Sequence, residues 1–149
     1  MKINLVIASD HGGYALKKEV VSFLKTNPDL YQVDDLGCDS ENSVDYPDFA
    51  LQVAQKISDK KADYGILICG TGVGMAITAN KIKGVRASSI IDLYTARMAR
   101  EHNNLNVLCL AGRILTPASA IEIVKTFLNT SFAGGRHQKR LDKITKLEN

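Results

Sequence analysis

The chain has 149 residues, 45% of them apolar and 23% charged, which suits one domain with a single sizeable core and is ordinary for a globular protein. No apolar run approaches the roughly 20 residues that span a bilayer, so no membrane partner is expected, and three widely spaced cysteines, Cys38, Cys69 and Cys109, argue against a disulfide framework or a zinc site. The net charge of +3 lies entirely in residues 136–149, and the neutral remainder has no basic stripe interleaved with aromatics, which disfavours nucleic acid and favours a small anionic ligand.

Met1-Lys2-Ile3-Asn4 leads straight into a strand-like run without a signal-peptide layout, so a cytoplasmic location is expected. Leu5-Val6-Ile7-Ala8 reads as a short buried strand, and Ser9-Asp10-His11-Gly12-Gly13 as the turn after it. A helix over 14–25 follows, with Leu16, Val20, Phe23 and Leu24 on one face and Asn27-Pro28-Asp29 as its stop. Residues 31–36 form a more polar strand that suits a sheet edge. The loop over 37–45 is long and polar, a length that points to function. Asp45 is a candidate cap and Pro47 a first-turn residue of the next helix, which buries Phe49, Val53, Ala54 and Ile57.

The third strand spans 64–69, and a helix over 75–81 continues after a glycine loop. A fourth strand covers 85–91. Asp92 caps a helix that runs through His102, and the fifth strand spans 106–111. Thr116-Pro117 opens a helix to about Asn129, Gly134-Gly135 breaks the chain, and a last helix starts near Arg136 with Leu141, Ile144 and Leu147 on one side. Five strands, each followed by a helix, imply a Rossmann-like three-layer α/β/α sandwich with a five-stranded parallel sheet. The extra C-terminal helix has no strand of its own and is free to pack on a second subunit. Ligands of such sheets sit beyond the carboxyl ends of the strands. That rule puts Ser9-Asp10-His11, the loop over 69–74 and Arg113 on one rim.

Cys69-Gly70-Thr71-Gly72-Val73-Gly74 is the chemically richest stretch. It fails as a dinucleotide fingerprint, because G-x-G-x-x-G needs glycine where Met75 stands and belongs after the first strand. It lacks the arginine of a cysteine phosphatase loop. It fits an oxyanion cradle whose amides would stabilise developing negative charge and favour the thiolate, and it also fits a tight strand–helix turn with an inert cysteine. His102 reads as a helix-terminal cap or a catalyst. Arg136 and Arg140, at i and i+4, read as a phosphate clamp or as a solvated basic helix. Asp45-Tyr46-Pro47 is a ligand contact or a plain helix start, and Cys38 and Cys109 read as packing residues. The three histidines show no metal-ligand spacing, so no metal is expected.

Taken together and in order, Asp10-His11-Gly12-Gly13, Asp45-Tyr46-Pro47, residues 68–74, Asn80-Lys81, residues 100–103, Asn106-Val107-Leu108 and residues 134–140 resemble the type B ribose-5-phosphate isomerases over nearly the whole chain. The wider family includes allose-6-phosphate isomerases and the subunits of galactose-6-phosphate isomerase, and the Gly-Gly-Arg-His-x-x-Arg tail favours the ribose type. The resemblance implies interconversion of ribose 5-phosphate and ribulose 5-phosphate without metal or organic cofactor. It implies Cys69 as the base between C2 and C1. Some members use a glutamate in this loop region instead, but position 75 is Met here. It assigns Gly70, Gly72, Val73 and Gly74 to the enediolate oxygens, Thr71 to the proton transfers and His102 to ring opening. Asp10, Tyr46 and Asn103 match sugar contacts, and His11, Arg113, Arg136 and Arg140 match phosphate contacts. It also implies a homodimer or homotetramer with sites shared between subunits. A six-carbon sugar phosphate isomerase is the nearest alternative. A non-catalytic sugar-phosphate-binding subunit is disfavoured by the retention of both Cys69 and His102.

Overall fold

The computed structural model describes residues 1–148. Its elements run β1 (Ile3–Ser9), α1 (Tyr14–Lys25), β2 (Tyr31–Asp35), α2 (Tyr46–Ser58), β3 (Tyr64–Cys69), α3 (Val73–Ala79), β4 (Ala87–Ser89), α4 (Leu93–Glu101), β5 (Val107–Ala111), α5 (Pro117–Asn129) and α6 (Arg136–Thr145). The strands form one parallel sheet in the order β2-β1-β3-β5-β4. The polar strand β2 lies at an edge, as its composition implies.

Alternation along the strands divides the core. Leu5 and Ile7 of β1, Ile66 and Ile68 of β3, and Leu108 and Leu110 of β5 face Leu16, Val20, Ala96, Ile123 and Phe127 of α1, α4 and α5. Val6, Ala8, Leu67 and Cys109 face Val53, Ala54 and Ile57 of α2 and Met75 and Ala79 of α3. Both faces are therefore covered, which is why β1, β3 and β5 read as continuous apolar runs. Among the described residues, no helix is long and apolar enough to cross a membrane.

Four details differ from the sequence reading. Strand β4 has three residues rather than seven, because its register with β5 pairs only Ala87, Ser88 and Ser89, and the ladder closes at the flanking bonds of Arg86 and Ile90. Its outer edge is closed by Asn80, whose side-chain amide both accepts from the Ala87 N–H and donates to the Ala87 carbonyl, each at 2.8 Å. A strand edge so capped offers no further ladder there. Helix α3 begins at Val73, two residues early, because the glycine loop is tighter than a free turn. Asp45 does occupy the position before α2, but its side chain makes no capping bond, and Phe49 is only half-buried. Asp92 and Thr116 do cap, accepting from the Thr95 and Ser119 N–H groups.

Gly13, at the start of α1, lies against the backbone of β3. A Cβ there would press on the Ile68 carbonyl oxygen and stand 2.5 Å from its carbonyl carbon. Backbone in a central strand cannot swing aside, so Gly13→Ala is expected to cost about 3 kcal/mol and lower Tm by about 10 °C. Thermal unfolding checks this, and a variant as stable as the parent would disprove the close approach.

Candidate active site

Three loops converge beyond the carboxyl ends of β1, β3 and β5. Strand β3 delivers Cys69 to the rim, where it is 5% exposed. The chain then turns through Gly72, whose φ of +76° is in the left-handed region that glycine tolerates. The turn brings the Gly72 N–H back to donate to Cys69 Sγ at 3.1 Å. That bond fixes the sulfur at the mouth of the glycine turn. Thr71 is exposed; its hydroxyl accepts from the Val73 N–H at 3.3 Å, and its carbonyl accepts from Ser89 Oγ at 2.7 Å. The loop after β5 is tied to the same turn, with the Gly112 N–H donating to the Cys69 carbonyl and the Arg113 N–H to the Gly70 carbonyl.

Asp10 and Arg113 complete the wall. Asp10 is buried and accepts from the Gly13 N–H through Oδ1. The Arg113 guanidinium lies over Gly70 and beside Gly12, within 3.5 Å of where side chains on those glycines would begin. On the other side, Tyr46 packs on Gly74, where a Cβ would stand 2.6 Å from ring carbons Cε2 and Cζ. The open space between them is a cleft of about 400 Å³ lined by Asp10, Tyr46, Cys69, Gly70, Thr71, Val73, Gly74, Ile77 and Arg113. Next to it, His11 Nδ1 accepts from the Val44 N–H at 3.2 Å, which leaves Nε2 to carry the proton of the neutral ring. The rim expected from the sheet rule is thus present, and it holds a thiol, a carboxylate, a phenol and a guanidinium together.

His102, Asn103, Arg136 and Arg140 are not part of this cleft. Helix α4 runs back against the strand direction, so His102, the residue just past its C-terminal end, precedes the start of β5. Arg100, one half-turn earlier, donates to the Tyr64 hydroxyl at the first residue of β3, whereas Cys69 is the last. The pairing from Gly65↔Val107 to Cys69↔Ala111 spans about 13 Å at the usual rise per residue. Within one chain, therefore, His102 and Cys69 lie toward opposite rims of the sheet.

The second cluster has its own order. The His102 ring stacks on His137 of α6 with centroids 4.2 Å apart and planes 12° apart. His102 Nε2 is 3.9 Å from Glu101 Oε1, an ion pair only when the ring is protonated. Burial first, then the charges of His102, Arg136 and Arg140, hold His137 below the ordinary imidazole range, with Glu101 opposing. Asn103 lines a larger cavity of about 610 Å³ between β4, α4 and α6, together with apolar Ile90, Met98, Leu141 and Ile144. That cavity is the more voluminous, but its wall is mainly apolar and holds no thiol or imidazole, whereas the smaller cleft is where a thiol, a carboxylate, a phenol and a guanidinium converge.

Sequence reasoning missed Ile77 in the cleft wall and the His137 ring under His102. Ile77 was detectable as an apolar residue one turn after Val73 on a helix whose buried face is Met75 and Ala79. Cys38 and Cys109 are buried, as packing residues should be, and burial pushes the Cys109 thiol far above its ordinary value. Among the described residues, no three His, Cys, Asp or Glu side chains are grouped to hold a metal ion.

The family described as Ribose/Galactose Isomerase matches residues 5–144. Ribose-5-phosphate isomerase B of Escherichia coli is 41% identical over 144 residues, 97% of this chain and 95% of that one. Among solved structures, ribose-5-phosphate isomerase B of Clostridium thermocellum superposes with a TM-score of 0.95 at 47% identity, covering 98% of this chain and 97% of the other. The Mycoplasma genitalium ribose-5-phosphate isomerase B, solved with bound ribulose-5-phosphate, gives 0.94 at 49% identity over 99% and 97% of the two chains.

Proposed function

Because the chain belongs to the ribose/galactose isomerase family, we propose that it interconverts D-ribose 5-phosphate and D-ribulose 5-phosphate through an enediolate. The observation that carries this reading is the Cys69 thiol, held by the Gly72 N–H in the wall of a cleft shared with Asp10, Tyr46 and Arg113.

The chemistry follows from what an aldose–ketose isomerisation needs. The cyclic sugar must open, which takes a group that moves a proton from the anomeric hydroxyl to the ring oxygen. In the open chain, the Cys69 thiolate removes the C2 proton and the electron pair moves toward C1, leaving negative charge on O1. Amides of Gly70 to Gly74 hold that oxyanion, Thr71 relays the proton between O1 and O2, and the Cys69 thiol returns its proton to C1. Every step is a proton transfer, so neither metal nor organic cofactor is called for. Asp10 and Tyr46 hold sugar hydroxyls. His11, through Nε2, and Arg113 reach the phosphate.

Ring opening by His102 needs a second copy of the chain. We assign it to His102 of the partner subunit, with the partner's Asn103 on the sugar and the partner's Arg136 and Arg140 on the phosphate. The separation of the two clusters within one chain supports this. So do exposed Val73, Ile77, Ile91, Tyr94 and Ile114 around the rim, an apolar set that a monomer would leave in water. A homodimer, or a tetramer of two such dimers, accommodates both. A cytoplasmic location and a single catalytic domain accompany the reading.

The test is a substrate panel. Purified protein should form ketose fastest from ribose 5-phosphate, with kcat/KM at least about 10-fold above allose 6-phosphate and galactose 6-phosphate, a margin that one extra hydroxymethyl group in a closed site can supply. Preference for either hexose phosphate would shift the assignment to the six-carbon branch. Binding without turnover of any of the three would make the chain a non-catalytic sugar-phosphate-binding subunit.

A further inference from the structure

Lys17 is 2% exposed, and it is among the largest fully buried side chains of the protein. A buried ammonium is costly unless its protons are used. Here Nζ donates to Asp35 Oδ1 and to the Cys38 carbonyl, both at 2.6 Å. Asp35 Oδ1 also accepts from the Gly37 N–H at 2.9 Å. One cation on α1 thus binds both ends of the step that leaves β2 and enters the loop over 37–45.

That step is joined to the active-site rim. The Ser9 N–H donates to the Gly37 carbonyl at 2.7 Å, and the Cys38 N–H to the Ser9 carbonyl at 2.9 Å. Ser9 is the residue before Asp10. The far end of the same loop gives its Val44 N–H to His11 and continues into Tyr46, which packs on Gly74. The loop is therefore fastened at 37–38 and touches the cleft at His11 and Tyr46. It has no strand or helix of its own between these points.

We propose that Lys17 is a positioning residue for substrate binding: its paired bonds to Asp35 and Cys38 hold the 37–45 loop so that His11 and Tyr46 meet the phosphate and sugar. Lys17 touches no lining residue of the Cys69 cleft and takes no part in the proton transfers. Loss of its bonds leaves the Cys38 carbonyl buried and unsatisfied, and the loop relaxes away from β1. The thiol, fixed by β3 and the glycine turn, stays in place. The inference rests on the isomerase reading for its kinetic consequence but not for its structural one.

The experiment compares Lys17→Met and Asp35→Ala with the parent protein. Lys17→Met should raise KM for ribose 5-phosphate at least about 10-fold with kcat changed less than about 3-fold, the pattern of lost ground-state binding. Asp35→Ala, at a half-exposed position, should raise KM in the same direction by about 3-fold. Amide exchange of Cys38 and Val44 should quicken in both variants while that of Ile68 in β3 does not. A purely structural lysine would lower Tm and the active fraction, so kcat would fall at constant KM, and that result overturns the proposal. Unchanged Cys38 and Val44 exchange in Asp35→Ala also overturns it, even if Lys17→Met fails to fold. A parent protein with no isomerase activity would sink the functional reading instead, and the exchange measurement would still judge Lys17.

Discussion

Cys69→Ala is expected to lower kcat on ribose 5-phosphate by at least about 10³-fold, at the upper range for loss of a general base, while substrate binding stays within about 3-fold. The reason is positional. Cys69 sits where β3 ends, and its sulfur already accepts a backbone N–H. The other groups in the cleft wall have other work: Asp10, already bonded to the Gly13 N–H through Oδ1, and Tyr46 hold sugar hydroxyls in this reading, and Arg113 is a permanent cation. Cys109 is on the same face of the sheet, one step down the neighbouring strand, but it is fully buried with its thiol held neutral. Cys109→Ala should therefore leave kcat within about 3-fold, since it removes one packed sulfur and no reacting atom. Isothermal titration on Cys69→Ala separates the two losses. Full turnover by Cys69→Ala would transfer the base to another group.

His102→Ala is expected to cost about 10²-fold or more on ribose 5-phosphate, which is overwhelmingly cyclic in water, and much less on a linear analogue that needs no opening. Equal slowing of both would remove the ring-opening role. The same variant tests the shared site. When Cys69→Ala and His102→Ala proteins exchange subunits, each mixed dimer contains one site with both groups intact. Random assortment makes half of the dimers mixed, so about one quarter of parental activity should return. Failure of activity to return, in a sample where native mass spectrometry finds mixed dimers, would place both groups in one chain's site.

Much of the fold was legible because buried parallel strands leave a plain signature. The runs ending at Ala8, Cys69 and Ala111 are apolar on both faces, and proline and glycine mark the turns between them. Strand β4 was overread because its length is set by its register with β5 and by Asn80 closing its edge, neither of which is local. Asp45 was overread for a related reason: its position suits a cap, but its side chain is not used as one. Within the site, the glycine loop and the Asp10-His11 turn were readable because their chemistry is contiguous in sequence. Lys17 was hidden: a lysine on an amphipathic helix reads as solvent-facing, and only the path of the 37–45 loop over α1 buries it. The distance between His102 and Cys69 was also invisible to spacing, because it depends on α4 running back to the far rim.

The central assignment, a thiol base moving a proton between C2 and C1, is open to one direct measurement. Ribose 5-phosphate is incubated with the protein in D₂O and followed by proton NMR, beside a Cys69→Ala control. Ribulose 5-phosphate should appear with deuterium at C1, and the C2 proton of the remaining ribose 5-phosphate should wash out at equilibrium, with neither change in the control. Absence of ketose from the folded parent protein, or deuterium incorporation at the parental rate by Cys69→Ala, would contradict it.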